Sequence, residues 1–401
     1  MATRTAAVTA AALLLIASPV LASGFGFYEQ GAKASGQGGA WVARADDASA
    51  NWYNPAALVY GSKHEVQFGL SYLESGGDTQ FSPSPGVSFD AVSNTVTPFH
   101  FYYSQMLGSR VAWGMGFNSP FGLVSEWNDA PLTLSSRRAE LRTYLFNPNL
   151  SFRIGELWSF GVGVDYLSAE VREFSRDATL GPLSTTANLT GEGTAWGFNG
   201  AIQLKTKSFT LAGQYRSALK PTIVGDLRFS GPAGDLLNSS AQAKVNLPGQ
   251  VLLGAAWTGK RFDVEGGAYY TQWKYFDKIL IDTGNPLTET LLSQSWTTSW
   301  AYRLGFAARF GSSLRHEFRA GLVRDHTPVP TEFLRPSIPD ADRNEASVGY
   351  GYLAMSWGID AYAMYVKFDD VTATGLPSQG VIPGTYSSTI WLAGVTAKYR
   401  F

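Results

Sequence analysis

A two-residue periodicity dominates the chain from about residue 65 to its end, and it constrains the fold more than any other feature. In the last segment Trp391, Ala393, Val395, Ala397, Tyr399 and Phe401 fall on one face, while Thr396, Lys398 and Arg400 fall on the other. Successive side chains of a strand point to opposite sides, so this pattern predicts antiparallel strands with one apolar and one polar face. The alternation recurs at Phe209, Leu211, Gly213 and Tyr215, at Phe262, Val264, Ala268 and Tyr270, and at Phe318, Ala320 and Leu322. Fourteen such segments are separated by turn signals: 65–74, 96–106, 110–118, 138–153, 157–171, 192–206, 208–228, 241–257, 260–281, 294–310, 313–325, 344–355, 358–370 and 387–400. An even number of antiparallel strands can close without leaving an unpaired edge.

The connections alternate in length. Leu107-Gly108-Ser109, Gly155-Glu156 and Gly311-Ser312-Ser313 are tight, whereas Ser75 to Asn94, Ser119 to Arg137 and Thr327 to Arg343 are long. Short turns at one end and long loops at the other are the asymmetry of an outer-membrane barrel. Trp113, Trp158, Trp257, Trp273, Trp296, Trp300 and Trp391 lie near strand ends, where they suit interfacial girdles and argue against a soluble β-sandwich. The expected fold is all-β, a 14-stranded antiparallel transmembrane β-barrel over residues 65–401. Only 16% of residues are charged, against roughly 25% in an average soluble domain. Beyond the first twenty residues no stretch approaches the roughly 18 apolar residues of a membrane-spanning helix, which excludes a helical membrane protein. Lys+Arg 31 against Asp+Glu 32 leaves no basic surface for a nucleic acid. With no cysteine there is no disulfide framework and no Cys-based zinc site.

Residues 1–22 carry Arg4, the apolar run Ala11-Ala12-Leu13-Leu14-Leu15-Ile16-Ala17 and short residues at Val20-Leu21-Ala22, the pattern of a signal peptide cleaved after Ala22. Residues 23–64 do not join the alternation. They are rich in Gly, Ala and Ser, and Asp46-Asp47 is expected to cap a short helix running toward Asn51. A barrel of eight strands is filled by its own side chains and one of sixteen is an open channel. Fourteen strands therefore leave a lumen that residues 23–64 are expected to fill as a plug.

Four groups of residues suggest where a ligand would act. Gly114 and Gly116 precede Asn118-Ser119-Pro120, and glycine with proline inside a strand marks a bulge or break where the wall can open. Phe121, Leu123, Trp127, Leu132 and Leu134 place an apolar cluster on a long loop, a candidate docking surface for a hydrophobic ligand. Arg138 and Arg142 share parity with Glu140 but also with Phe146 and Phe152, so a bulge near Asn147-Pro148 is expected to turn both arginines toward the lumen as ligand-binding candidates, with pairing to Glu140 as the alternative. Enzymatic signals are absent. Gly254-Ala-Ala-Trp-Thr-Gly259-Lys260-Arg261 approaches a P-loop but ends in Arg where Ser or Thr is required, and His64, His100, His316 and His326 lack metal-ligand spacing. No catalytic residue, cofactor or metal is expected.

The mature start Ser23-Gly24-Phe25 with Glu29 begins a series of shared elements. It continues through Ala45-Asp46-Asp47-Ala48-Ser49, Asn54-Pro55-Ala56-Ala57-Leu58, Ser119-Pro120-Phe121-Gly122-Leu123, Asn147-Pro148-Asn149, Tyr215-Arg216-Ser217, Asp325 with Thr327-Pro328-Val329-Pro330, and Pro339-Asp340-Ala341-Asp342-Arg343. In this order the chain resembles the FadL-like outer-membrane transporters of long-chain fatty acids and other hydrophobic compounds. The resemblance implies a passive uptake channel: extracellular capture, a pocket beside the hatch, then lateral exit through the barrel wall. It implies ligand contact at Phe25, and a hatch element Asn54, Pro55 and Ala56 lying near the kinked third strand. The implied partners are a hydrophobic small molecule, outer-membrane lipid and detergent-like molecules, and, through the C-terminal Phe401, the barrel-assembly machinery of a monomeric barrel. A structural or adhesive barrel without transport is the competing function.

Overall fold

The computed structural model describes residues 24–180, 182–286 and 289–401; the expected signal peptide lies outside them. Twenty ladder segments join into fourteen consecutive antiparallel strands that close on themselves. Strand one is His64–Ser75, strand two Asn94–Val96 with Phe99–Met106, strand three Val111–Asn118 with Gly122–Glu126, and strand four Arg138–Ile154. Strands five and six are Trp158–Leu180 and Leu183–Lys205. Strands seven to ten are each broken once: Phe209–Arg216 with Thr222–Gly231, Gly234–Lys244 with Gln250–Thr258, Phe262–Thr271 with Lys278–Asp282, and Thr290–Ser293 with Ser299–Phe310. His316–Asp325, Arg343–Leu353, Trp357–Phe368 and Thr389–Arg400 complete the wall as strands eleven to fourteen. Closure runs from Glu65↔Arg400 to Leu73↔Leu392.

The alternation resolves inside out. On strand one Phe68, Leu70 and Tyr72 are exposed, whereas Glu65, Gln67 and Ser71 are buried. On strand fourteen Trp391, Val395 and Tyr399 point outward and Thr396 and Lys398 point inward. An apolar exterior around a polar interior fits hydrocarbon outside and a filled lumen inside. Strands five and six run past 171 and begin before 192, the bounds expected from the alternation, as one long hairpin. Polar residues such as Arg172, Arg176, Asn188 and Thr190 interrupt the apolar face there, yet the backbone stays paired up to Leu183↔Leu180. Trp158, Trp257 and Trp391 lie on the exposed face as expected of a girdle, but Trp273 and Trp296 do not: both are buried in the interior. Four short strands, Gln80–Ser84, Val87–Asp90, Val371–Ala373 and Gly384–Ser387, form a separate sheet in the long-loop region.

Residues 24–61 lie against the inward faces of strands all around the barrel. They form two single-turn helices, Ala32–Ser35 and Ala50–Tyr53, and a 3₁₀ turn, Pro55–Tyr60. Ser49 rather than Asp46 or Asp47 stands at the cap of the second helix, and Asp47 accepts hydrogen bonds from the Ser49 amide at 3.1 Å and hydroxyl at 2.5 Å. The fit to the wall is tight because strand glycines leave room for backbone: a Cβ on Gly349 would stand 2.8 Å from the Gly36 Cα. Charges anchor the other contacts. Arg44 meets Asp263 at 2.9 Å, and Lys398 meets Asp360 at 2.7 Å and Asp47 at 3.7 Å. Glu265 accepts the backbone N–H groups of Ala43 at 2.7 Å and Arg44 at 3.0 Å. Removing one partner from such a buried pair costs about 3–5 kcal/mol, because the other charge is left uncompensated.

Candidate functional site: two cavities meeting at Phe25

The ladder between strands two and three stops early. Its last register pair is Phe101↔Phe117, and the next backbone contact is the Val92 amide donating to the Glu126 carbonyl at 2.9 Å. Over the same interval strand three gains a residue on strand four: Asn118 faces Leu145 and Gly122 faces Arg142, four steps against three. Pro120 has no N–H to give, so the break falls at Ser119-Pro120-Phe121. The N-terminal segment satisfies part of this edge. The Phe27 amide donates to the Pro120 carbonyl at 2.8 Å, the Gly122 amide to the Phe25 carbonyl at 3.1 Å, and the Gln30 side-chain amide to the Ser119 carbonyl at 2.8 Å.

This break bounds a lateral cavity of about 310 Å³, whose lining includes Pro98, Phe99, Ser119, Gly122, Tyr144 and Phe25. A second, outer cavity of about 420 Å³ lies among the long-loop ends of the strands, lined mainly by apolar side chains such as Ile223, Leu227, Ile279, Ile281 and Leu292. Phe25, Leu123, Leu141 and Ile338 line both. Phe25 is therefore part of the partition between them. Its ring packs edge-on against Trp273 at 4.8 Å and Phe276 at 5.4 Å, with Trp296 at 5.8 Å and Phe121 at 6.2 Å. Trp273, expected in a girdle, and Phe276 were not expected at the site, because they sit in and just after a 3₁₀ turn, Trp273–Tyr275, that interrupts strand nine. Their three-residue spacing, which breaks period two, was the available signal.

The other expected site residues separate. Phe121 is buried in the aromatic group and Leu123 lines both cavities, but Trp127 and Leu132 are fully buried away from them. The Trp127 indole donates to the Pro336 carbonyl at 2.9 Å and its ring meets Tyr386 at 6.2 Å, so this loop packs against two other long loops. Of the expected surface cluster, Leu134 alone is widely exposed, at 57%. The expectation of an exposed docking surface is corrected: burying those side chains against neighbouring loops removes more apolar area from water. The bulge also lies elsewhere. Strand four keeps one register with strand five across Asn147-Pro148, and the shift occurs between Glu140 and Leu141. Glu140 holds both arginines, Arg138 at 2.7 Å and Arg142 at 2.7 Å, and Arg142 shares the outward parity of Tyr144 and Phe146 at the rim of the lateral cavity.

Gly114 and Gly116 lie in the fully paired part of strand three, between Val111↔Phe152 and Asn118↔Leu145. A Cβ on Gly114 would stand 2.5 Å from the Asn51 Oδ1, and one on Gly116 would strike the Asn147 side chain. These glycines make room for inward-facing side chains; the break begins three residues beyond Gly116. Asn54, Pro55 and Ala56 lie against strands five and six instead of the break. Asn54 donates to Gln203 Oε1 at 2.6 Å and to the Val42 carbonyl at 2.7 Å, and a Cβ on Gly161 would lie 2.5 Å from the Ala56 nitrogen. His316, on the outer face, has its Nδ1 2.6 Å from the Tyr350 hydroxyl, and no cluster of metal-binding side chains occurs among the described residues.

Asp340, in the loop before strand twelve, lines the lateral cavity and accepts hydrogen bonds from the Gly24 amide at 3.1 Å and the Thr327 hydroxyl at 2.6 Å. Burial pushes its carboxyl up from 3.8 to about 6, against the opposing pull of Arg343 and Thr327. A folded pKa above the unfolded one favours the folded arrangement as pH falls through 6, and the gain is complete below 3.8. Acidification from pH 7 to 4 should therefore favour the closed arrangement that buries Asp340, slowing intrinsic-rate-corrected hydrogen exchange at Gly24 by up to about a hundredfold, tenfold per pKa unit. Asp340→Asn should abolish that pH dependence; an unchanged profile in the variant would assign it to another group.

Residues 13–401 match the family described as outer membrane protein transport protein (OMPP1/FadL/TodX). The chain is 25% identical over 442 residues to the long-chain fatty acid transport protein of Escherichia coli, with 98% of this chain and 97% of that protein aligned. It is 26% identical over 433 residues to the protein of the same name from Salmonella typhi, at the same coverages of 98% and 97%. Among solved structures, a FadL homologue of Pseudomonas aeruginosa superposes with a TM-score of 0.82 at 19% identity, covering 94% of this chain and 100% of that one. The toluene transporter TodX of P. putida superposes with a TM-score of 0.73 at 16% identity, covering 94% and 99%. Matched over nearly its whole length, and closing fourteen antiparallel strands around a polar interior, the chain belongs to the outer membrane protein transport protein family (OMPP1/FadL/TodX) and is an outer-membrane barrel.

Proposed function

We propose that this protein is a passive uptake channel for hydrophobic compounds, with residues 23–64 as its hatch and residues 65–401 as its barrel. The observation that carries the reading is the pair of apolar-lined cavities that share Phe25, one among the extracellular loops and one ending at the break in strand three. A hydrophobic solute enters the outer cavity, passes Phe25 as the aromatic side chains yield, occupies the lateral cavity, and leaves between Pro98-Phe99 and Ser119-Gly122 into the bilayer. Each step moves apolar surface between apolar surroundings, where exposure to water would cost about 25 cal/mol per Å², so a gradient alone suffices to drive it. Long-chain fatty acids and monoaromatic hydrocarbons both suit such a path, and relatives bearing those names transport one or the other. Phe401, 60% exposed and stacked 5.0 Å from His64, is in this reading the residue that the assembly machinery contacts. The protein acts as a monomer in this reading, because each barrel contains the whole path.

Two assays on one preparation test the function. Proteoliposomes should take up a radiolabelled fatty acid or toluene faster than protein-free vesicles, yet show no accelerated swelling in small sugars. Rapid sugar permeation would instead indicate an ordinary porin, and neither effect would favour a structural or adhesive barrel.

A further inference from the structure

A basic patch lies on the outer face of the wall, directly behind the outer cavity. Ile223, Ala243 and Ile281, on strands seven, eight and nine, line that cavity from inside. Successive strand residues point to opposite faces, so the exposed Lys244 and Lys278 stand on the outward side of the same strands. Lys220 and Lys274, also exposed, join them from the breaks in strands seven and nine. The ladder brings the group together. Thr222 pairs with Lys244 and Ala243 with Ile281, which makes Lys220 and Lys278 diagonal neighbours of Lys244, about 7–8 Å away in ordinary sheet geometry. The Tyr275 ring, 42% exposed, gathers two of the ammonium groups, with the Lys220 Nζ 5.8 Å and the Lys274 Nζ 5.5 Å from its centre.

The patch begins at the level of the outward aromatic pairs Tyr166–Trp196, 4.7 Å apart, and Tyr270–Trp300, 4.9 Å apart, and extends toward the long loops, where the outer leaflet carries its headgroups. Among the described residues no carboxylate comes within ion-pair distance of the four lysines. Asp277 is exposed between two of them, while Asp282 and Glu192, opposite Gln242 and Val224, stand farther toward the loops. Other outward cations at this end are matched: Arg142 by Glu140 at 2.7 Å, Arg172 by Glu170 at 3.2 Å and Arg228 by Asp226 at 3.6 Å. Like charges on neighbouring strands repel, so a cluster left unmatched in this way is stabilised by an anion.

We infer that Lys220, Lys244, Lys274 and Lys278 bind a phosphorylated saccharide lipid of the outer leaflet, its phosphates among the ammonium groups and its acyl chains along the apolar belt below. Each lysine brings N–H donors and a full charge, and a phosphate monoester accepts charge-assisted hydrogen bonds from several donors at once. Trp196, Phe198, Tyr215 and Leu253, exposed on the same face nearer the short turns, offer the acyl chains a surface. The lysines span three strands, so a head with two phosphate monoesters engages more of them than the single phosphodiester of a glycerophospholipid. This site lies outside the wall and is independent of the uptake reading.

Native mass spectrometry of the full-length protein released from non-ionic detergent tests the site, with bisphosphorylated lipid A and its fully dephosphorylated form supplied together at equal concentration. The wild type should carry the phosphorylated lipid at least about tenfold more often, because the four lysines act on the phosphates together. The combined Lys220→Gln, Lys244→Gln, Lys274→Gln and Lys278→Gln variant should lose that preference, and arginine at the same four positions should keep it. A control in which Lys63, Lys207, Lys260 and Arg261, exposed at the short-turn end, are changed to Gln should also keep it. No preference in the wild type, a preference kept within about threefold in the four-Gln variant, or an equal loss in the control overturns the site. Phosphatidylglycerol competing with lipid A on equal terms overturns the assignment to a saccharide lipid. If the four-Gln variant carries neither lipid, the four-Arg variant decides: a retained preference supports the site, and its loss overturns it.

Discussion

Replacing Gly122 with phenylalanine should lower uptake of a hydrophobic solute by at least about tenfold, since a barrier raised by about 1.4 kcal/mol slows passage that much. Gly122 lines the lateral cavity beside the break, is solvent-exposed, and offers open space: the nearest atom to an added Cβ is the Leu141 carbonyl oxygen at 3.9 Å. The ring therefore fills the exit without deforming the ladder. Outer-membrane levels and binding in the outer cavity should be normal, because Ile223, Leu227 and Arg335 are met before the exit. Gly114→Phe should behave differently although it lies on the same strand. There the new side chain strikes Asn51 and the Tyr103 carbonyl, a collision between wall and hatch that should raise ion leak as the hatch is displaced. Normal uptake by correctly folded Gly122→Phe protein would rule out exit at this break. A route through the lumen to the periplasm predicts that outcome, with faster uptake once the hatch is removed.

Deleting residues 23–64 while keeping residues 1–22 should yield an inserted barrel whose single-channel conductance rises by about tenfold or more, as the lumen changes from filled to water-filled. The residues removed cover the inner surface from Gly254, against Ala43, to Gly349, against Gly36, and they supply the Ala43 and Arg44 amides to Glu265, Asp47 to Lys398 and Arg44 to Asp263. Those wall charges then meet water where they met the N-terminal segment, so the barrel should survive with reduced thermal stability. Conductance equal to that of the full chain, in a variant shown to be inserted, would contradict the hatch assignment. Selectivity supplies a second reading: the deletion should admit small sugars that the intact protein excludes.

Much of this architecture is legible locally. Strand one alternates Glu65, Gln67 and Ser71 against Phe68, Leu70 and Tyr72, and hydrocarbon outside with a polar lumen inside requires that two-residue period of every strand. The site is less legible. Phe25 emerged through resemblance to known transporters, and Phe121 and Leu123 through their apolar character in a long loop; all three line or border the cavities. Trp127 and Leu132 carry the same composition signal, but their contacts, Pro336 and Tyr386 for Trp127, are more than two hundred residues away. No local pattern distinguishes an apolar loop residue that meets ligand from one that meets another loop.

By itself the sequence determined the all-β class, the even strand count, the short-turn and long-loop ends, and the presence of a non-alternating segment before the first strand. Each follows from period, turn chemistry or composition within a few residues. Tertiary structure alone decided where the wall is incomplete, since the break at Ser119-Pro120-Phe121 exists only relative to the registers of strands two and four. It also moved Trp273 and Trp296 from an expected girdle into the group around Phe25. Most of all it set the charge of the two cavities. Arg138, Arg142, Arg335 and Arg343 are alike as residues; which is neutralised depends on whether the fold brings a carboxylate within about 4 Å, where the attraction between opposite charges offsets part of the cost of leaving water.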